Sequence, residues 1–156
     1  MSYLINQETI DKVKARRKLK TKRINKSKKL IKTMVSDLIE EHGIDTKKIP
    51  LKVTFYNDHE SGSHCRSWIS REDGRVLKQR INIDMVSLKR FFRWGYDNDY
   101  YKGRAEVLNP IVKKNFKKTL RFIILHELGH VIDRRITKRA GDGSEKIADD
   151  FALKNL

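Results

Sequence analysis

Residues Phe122-Ile123-Ile124-Leu125-His126-Glu127-Leu128-Gly129-His130-Val131-Ile132 are apolar around the whole helical circumference except at three positions, and those three are titratable. A stretch of this kind predicts a buried helix. Burying two imidazoles and a carboxylate costs roughly 1–3 kcal/mol per group unless each finds a partner, so the fold has to supply one. One helical turn takes about 3.6 residues, so His126 and His130 project from one face a turn apart and both rings can reach a single tetrahedral cation. The pattern His-Glu-x-x-His therefore offers two zinc ligands, with Glu127 beside them as a general base for water.

Two histidines are too few, since a catalytic zinc site usually has three protein ligands and one open position. Upstream, Asn109-Pro110 pairs an N-cap with a first-turn proline, which predicts that the motif helix starts there and runs to about Ile136. Its first half, with Lys113, Lys114, Lys117, Lys118 and Arg121, reads as solvated. Downstream, Gly141-Asp142-Gly143 is a turn signal, and Ser144 is an N-cap for a last helix from Glu145 to about Leu153. Folded back on the first helix, it presents Glu145 as third metal ligand. Asp149, one turn further along the same face, is placed to accept a hydrogen bond from a ligand histidine and fix its tautomer. Asp133, His59 and His64 are the competing third ligands. Asp133 comes from the motif helix itself and reads better as a salt-bridge partner of Arg134 or Arg135, or as a group that supports a metal ligand from behind. The two histidines read as surface residues of the polar segment around Asn57 to Ser63.

The motif His126-Glu127-Leu128-Gly129-His130, followed by Glu145-Lys146-Ile147-Ala148-Asp149-Asp150-Phe151-Ala152, resembles the ImmA/IrrE-type metallopeptidases. These share a Glu-x-x-Ala-Asn/Asp-x-Phe-Ala element after the His-Glu-x-x-His helix. The likeness covers Leu125 to Ala152 and, loosely, Arg80-Ile81-Asn82-Ile83-Asp84 as the strand before the motif. His130-Val131-Ile132-Asp133 is also similar to lethal-factor-like zinc peptidases, within the wider gluzincin group. The resemblance implies Glu145 as the third ligand, in agreement with the spacing, and does not carry over a substrate. The motif chemistry itself leads us to expect a zincin-like fold, one Zn2+ per chain held by His126, His130 and Glu145, and a protein or peptide substrate. The chain departs from the family in an aromatic and basic insert, Phe91-Phe92-Arg93-Trp94-Gly95-Tyr96 with Tyr100-Tyr101, which reads mainly as packing and alternatively as a substrate or base-stacking lid.

Charge is the second strong signal: 36 Lys and Arg against 20 Asp and Glu leave a net +16. It is unevenly placed. Residues 1–32 hold 12 basic and 2 acidic residues, net +10, leaving +6 to the other 124. Lys14, Arg16, Arg17, Lys18, Lys20, Lys22 and Arg23 form the densest run, a flexible or conditionally helical arm over residues 1–26 that can neutralise phosphates of DNA or RNA. A solvated surface or an acidic protein partner is the plainer use of the same charge. At 156 residues with 38% hydrophobic content the chain is long enough for one compact domain and too short for two, and residues 27–156 are expected to form one catalytic domain. Cys65 is the single cysteine, so no intramolecular disulfide forms, and a reducing cytoplasmic setting is expected. Neither a leader nor a run of membrane-spanning length is seen, so no membrane partner is expected.

From Lys28 the apolar positions Leu30, Ile31, Met34, Val35, Leu38 and Ile39 recur at helical spacing up to His42-Gly43. Leu51 to Tyr56, His64 to Ser70 and Lys78 to Ile83 read as strands, the last two flanking the turn Glu72-Asp73-Gly74-Arg75. Arg80 to Asp84 is the expected edge strand over the metal. The expected fold is α+β: helix, small twisted sheet, insert, active-site helix and C-terminal ligand helix. The expected activity is peptide hydrolysis with Glu127 as the proton carrier and a tyrosine or His64 stabilising the oxyanion. Two other readings use the same residues: a non-catalytic zinc-containing nucleic-acid or protein-binding module, and a DNA-tethered protease of SprT type.

Overall fold

The computed structural model describes residues 7–57, 62–94, 106, 109–110, 115–137 and 144–156. Among them are four helices and one three-stranded mixed sheet, an α+β arrangement. The chain divides into two compact units, residues 1–34 and 35–156.

In the first unit the described residues belong to helix α1 (Gln7–Glu41), which contributes its residues 7–34. Here Lys12 pairs with Glu8 at 2.6 Å, an i,i+4 pair open to solvent. The seven arm cations Lys14, Arg16, Arg17, Lys18, Lys20, Lys22 and Arg23 are all exposed and point around the whole circumference of the helix.

In the second unit α1 ends at a left-handed glycine. Gly43 has φ of 60°, a conformation a side chain resists, and its N–H donates to the Glu40 carbonyl while Ile44 N–H donates to that of Ile39. Strand β1 (Leu51–Tyr56) follows, then β2 (His64–Ile69) and β3 (Val76–Asp84), in the sheet order β1-β3-β2. Strand β3 pairs parallel with β1, Val53 opposite Ile81, and antiparallel with β2, Cys65 opposite Ile81. Arg80 to Asp84 thus lie in the central strand, and the expectation of an edge there is corrected: β1 and β2 are the edges among the described residues. The burial of Gln79, Ile81, Ile83 and Asp84 fits a strand with neighbours on both sides.

Asp84 ends β3 and caps helix α2 (Met85–Trp94), its carboxylate accepting from the Val86 and Ser87 N–H groups at 3.0 Å each. Helix α3 (Phe116–Thr137) holds the motif. It begins later than the Asn109-Pro110 pair predicts: Asn115 is the cap, its side chain accepting from Lys118 N–H at 3.0 Å, while Asn109 and Pro110 are helical outside α3. Phe92 of α2 meets Phe116 edge-on at 5.4 Å, which makes this part of the aromatic insert packing; Gly95, Tyr96, Tyr100 and Tyr101 lie outside the described residues. Helix α4 (Ser144–Lys154) closes the chain as predicted. The core of this unit is built from Leu38, Ile81, Ile83, Leu120, Phe122, Ile124, Leu125 and Leu128, all at 0% exposure. No helix among the described residues is long and apolar enough to cross a membrane.

Candidate metal centre

Helix α3 is locked to the sheet by one buried polar side chain. Gln79 of β3 donates from Nε2 to the Val131 carbonyl and to Ser67 Oγ, each at 3.1 Å, and accepts from Arg135 Nε at 2.7 Å. The same guanidinium donates to the carbonyls of Asp45 and Ile49 at 2.9 Å, tying the α1–β1 connection to the end of the motif helix. Arg134 donates to the Cys65 carbonyl at 3.4 Å. Asp133 therefore does not pair with either arginine as expected; neighbours one and two positions apart on a helix point away from each other.

Helix α4 approaches α3 at a residue without a side chain. A Cβ on Gly129 would stand 2.8 Å from Ala148 Cα and 3.2 Å from its carbonyl oxygen, so only glycine lets the two backbones come this close. Ala148 and Ala152, both fully buried, give α4 the matching flat stripe. This approach carries Glu145 and Asp149 over the motif. Glycine at this position and its alanine partner escape a search for chemical groups, and the available signal was the small residue inside an otherwise bulky apolar run.

Asp149 Oδ1 lies 2.9 Å from His126 Nδ1. A carboxylate can only accept there, so Nδ1 carries the hydrogen and the Nε2 lone pair is turned inward. His126 Nε2 lies 3.1 Å from His130 Nε2 and 3.5 Å from Glu145 Oε2, and Glu145 Oε1 lies 3.2 Å from His130 Nε2, so the two rings and both oxygens of the carboxylate converge as a triangle of groups. Ligands held tetrahedrally at the usual zinc distances of about 2.0–2.1 Å are about 3.3 Å from one another, so these residues fit such a cation. The donors could hold one metal ion. Burial opposes charge on His126, but the hydrogen bonds it donates to Asp149 and Glu145, together with the Glu127 charge, outweigh it and raise the pKa to about 9. The same two histidines hold Glu145 far below the usual carboxylate range.

Glu127 is buried beside the triangle, and its Oε2 has no hydrogen-bond partner among the described residues. Desolvation pushes its pKa up, His126 pulls it back, Glu145 pushes it further, and the result is about 7. Cys65 is pushed to about 12 by its burial and by the Glu127 charge, which makes it an inert thiol at neutral pH. His64 is not part of this cluster. Its ring nitrogens meet Tyr56 Oη at 3.1 Å and Asn82 Nδ2 at 3.0 Å, on the sheet face opposite Cys65. That placement removes it from the proposed oxyanion role, while His59 lies outside the described residues. No family model matches the chain, and no curated protein and no solved structure matches it.

Proposed function

We propose that the chain is a zinc-dependent metalloendopeptidase of ImmA/IrrE type with a zincin-like domain, acting on a protein substrate, and that its basic arm tethers it to nucleic acid. The observation behind this reading is the triangle of His126, His130 and Glu145 donors with the buried, partnerless Glu127 oxygen next to it. Zinc, when bound, supplies a Lewis acid that polarises the scissile carbonyl and lowers the pKa of water to about 7. Glu127 accepts the proton of the attacking water and delivers it to the nitrogen of the leaving amine. Burial and the Glu145 charge raise the Glu127 carboxyl against the pull of His126, which favours a group able to take and give a proton. Asp149 keeps His126 in one tautomer. The outer side of β2, unpaired among the described residues, offers main-chain groups to an extended substrate.

A purely structural zinc site has no use for a base beside its ligands, which separates this reading from a non-catalytic binding module. The test is elemental analysis joined to cleavage. The wild type should bind one zinc per chain and degrade an unstructured model protein, and Glu127→Gln should keep the zinc and lose cleavage by about three orders of magnitude or more. Equal cleavage by Glu127→Gln would remove the mechanism. Full zinc occupancy with no peptide released from a whole-cell protein extract would favour the binding module.

A further inference from the structure

The face of the sheet turned away from α3 is cationic in a way the metal centre does not explain. The strand register sets Lys52, Arg80 and Arg66 directly opposite one another, one from each strand, in a row about 10 Å across. Like charges opposite one another in adjacent strands repel, so this row costs folding free energy unless an anion covers it. Among the described residues none of these three, nor Lys78 beside them, has an ion pair; Asp84, the carboxylate on this face, is buried and capping α2. Lys52, Arg66 and Lys78 are exposed. Trp68 lies in the same patch, half-buried, with Lys78 Nζ 4.9 Å and Arg80 Cζ 5.2 Å from its ring.

We propose that this face binds single-stranded nucleic acid, with phosphates on Lys52, Arg66, Lys78 and Arg80 and a base stacked on Trp68. The charge calls for a polyanion. The indole calls for one with accessible ring faces, which a single strand offers and a duplex keeps stacked inside itself. Trp68 already has Lys78 and Arg80 over its ring, so a base stacks there in exchange for one of them and frees that cation for a phosphate, whereas an acidic peptide matches the cations and brings no ring of its own. The site uses none of the arm's residues and needs neither the zinc nor the peptidase reading.

The chain has two tryptophans, so Trp94→Phe in the full-length protein leaves Trp68 as the reporter. Titration with a short oligodeoxythymidylate should quench Trp68 fluorescence to saturation. Trp68→Ala, followed by a labelled oligonucleotide, should bind about 5-fold to 100-fold more weakly. Arg66→Gln with Lys78→Gln, both surface changes that leave the circular dichroism unaltered, should weaken binding and flatten the dependence of log K on log salt by about 0.7 per cation removed. Replacing Lys14, Arg16, Arg17 and Lys18 by Gln should leave the quench in place. The proposal fails if Trp68 is not quenched, if the double Gln variant binds as tightly as its parent, or if a duplex or an oligoglutamate quenches Trp68 as strongly as the single strand.

Discussion

Residues 7–34 of α1 and the helix pair α3–α4 are both rich in charge, and they handle it in opposite ways. On α1 the arm cations stand in solvent on all sides of the helix, with local i,i+4 contacts such as that of Lys12 with Glu8. Between α3 and α4, four titratable side chains converge within 3.5 Å of a neighbour, and each has its pairing fixed by two packed backbones. The first arrangement gives attraction without geometry. The second gives geometry, and geometry is what a coordination site and a proton transfer require.

The comparison is broken first at the converging site. His130→Ala should weaken zinc binding by several hundredfold, as expected when one of three donors carries about a third of an affinity near 10 kcal/mol, read by competition with a chelator of known affinity. A loss under tenfold would mean that the triangle is not the coordination site. Asp149→Asn removes the acceptor that orients His126 and should cost about 10-fold to 100-fold in zinc affinity while the fold persists. Gly129→Ala is the sharper probe because two effects compete. Helix propensity favours alanine by about 1 kcal/mol, whereas forcing a methyl against the Ala148 backbone costs about 1–3 kcal/mol. Net destabilisation of about 1 kcal/mol in denaturant unfolding, with weaker zinc binding, is the expected outcome; stabilisation would show that the helices are not held this closely. The smallest effect belongs to the arm. Lys14, Arg16 and Arg17 changed to Gln should move stability by less than about 0.5 kcal/mol, because no fixed pairing is lost.

Local patterns carried much of this structure. His126 and His130 had to share a face once the helix was read; Glu145 was legible from its place at the start of a helix that a short turn folds back, and Asp149 followed from it by the same i,i+4 rule on α4. The strands β1, β2 and β3 were legible from alternation and the turn at Asp73-Gly74. Pairing order was not, because which strand lies in the middle is decided by contacts between residues far apart in sequence, such as Cys65 and Val53 on either side of Ile81. The N-cap of α3 is Asn115 although Asn109-Pro110 is the stronger local signal, because the start of the helix is set by the packing of Phe116 on Phe92, which local pattern does not show. Gln79 looked like an ordinary polar residue in a strand; only its neighbours reveal that it joins sheet, motif helix and Arg135.

Two donors of the triangle belong to α3, and the third, Glu145, belongs to α4. An ion shared by all three would be a cross-link between His130 and Glu145, closing a loop of about 15 residues and restricting the unfolded chain by roughly 3 kcal/mol on the scale of a disulfide of that length. Metal removal would then loosen the whole C-terminal helix, so the ion would fasten the end of the chain as well as serve its chemistry.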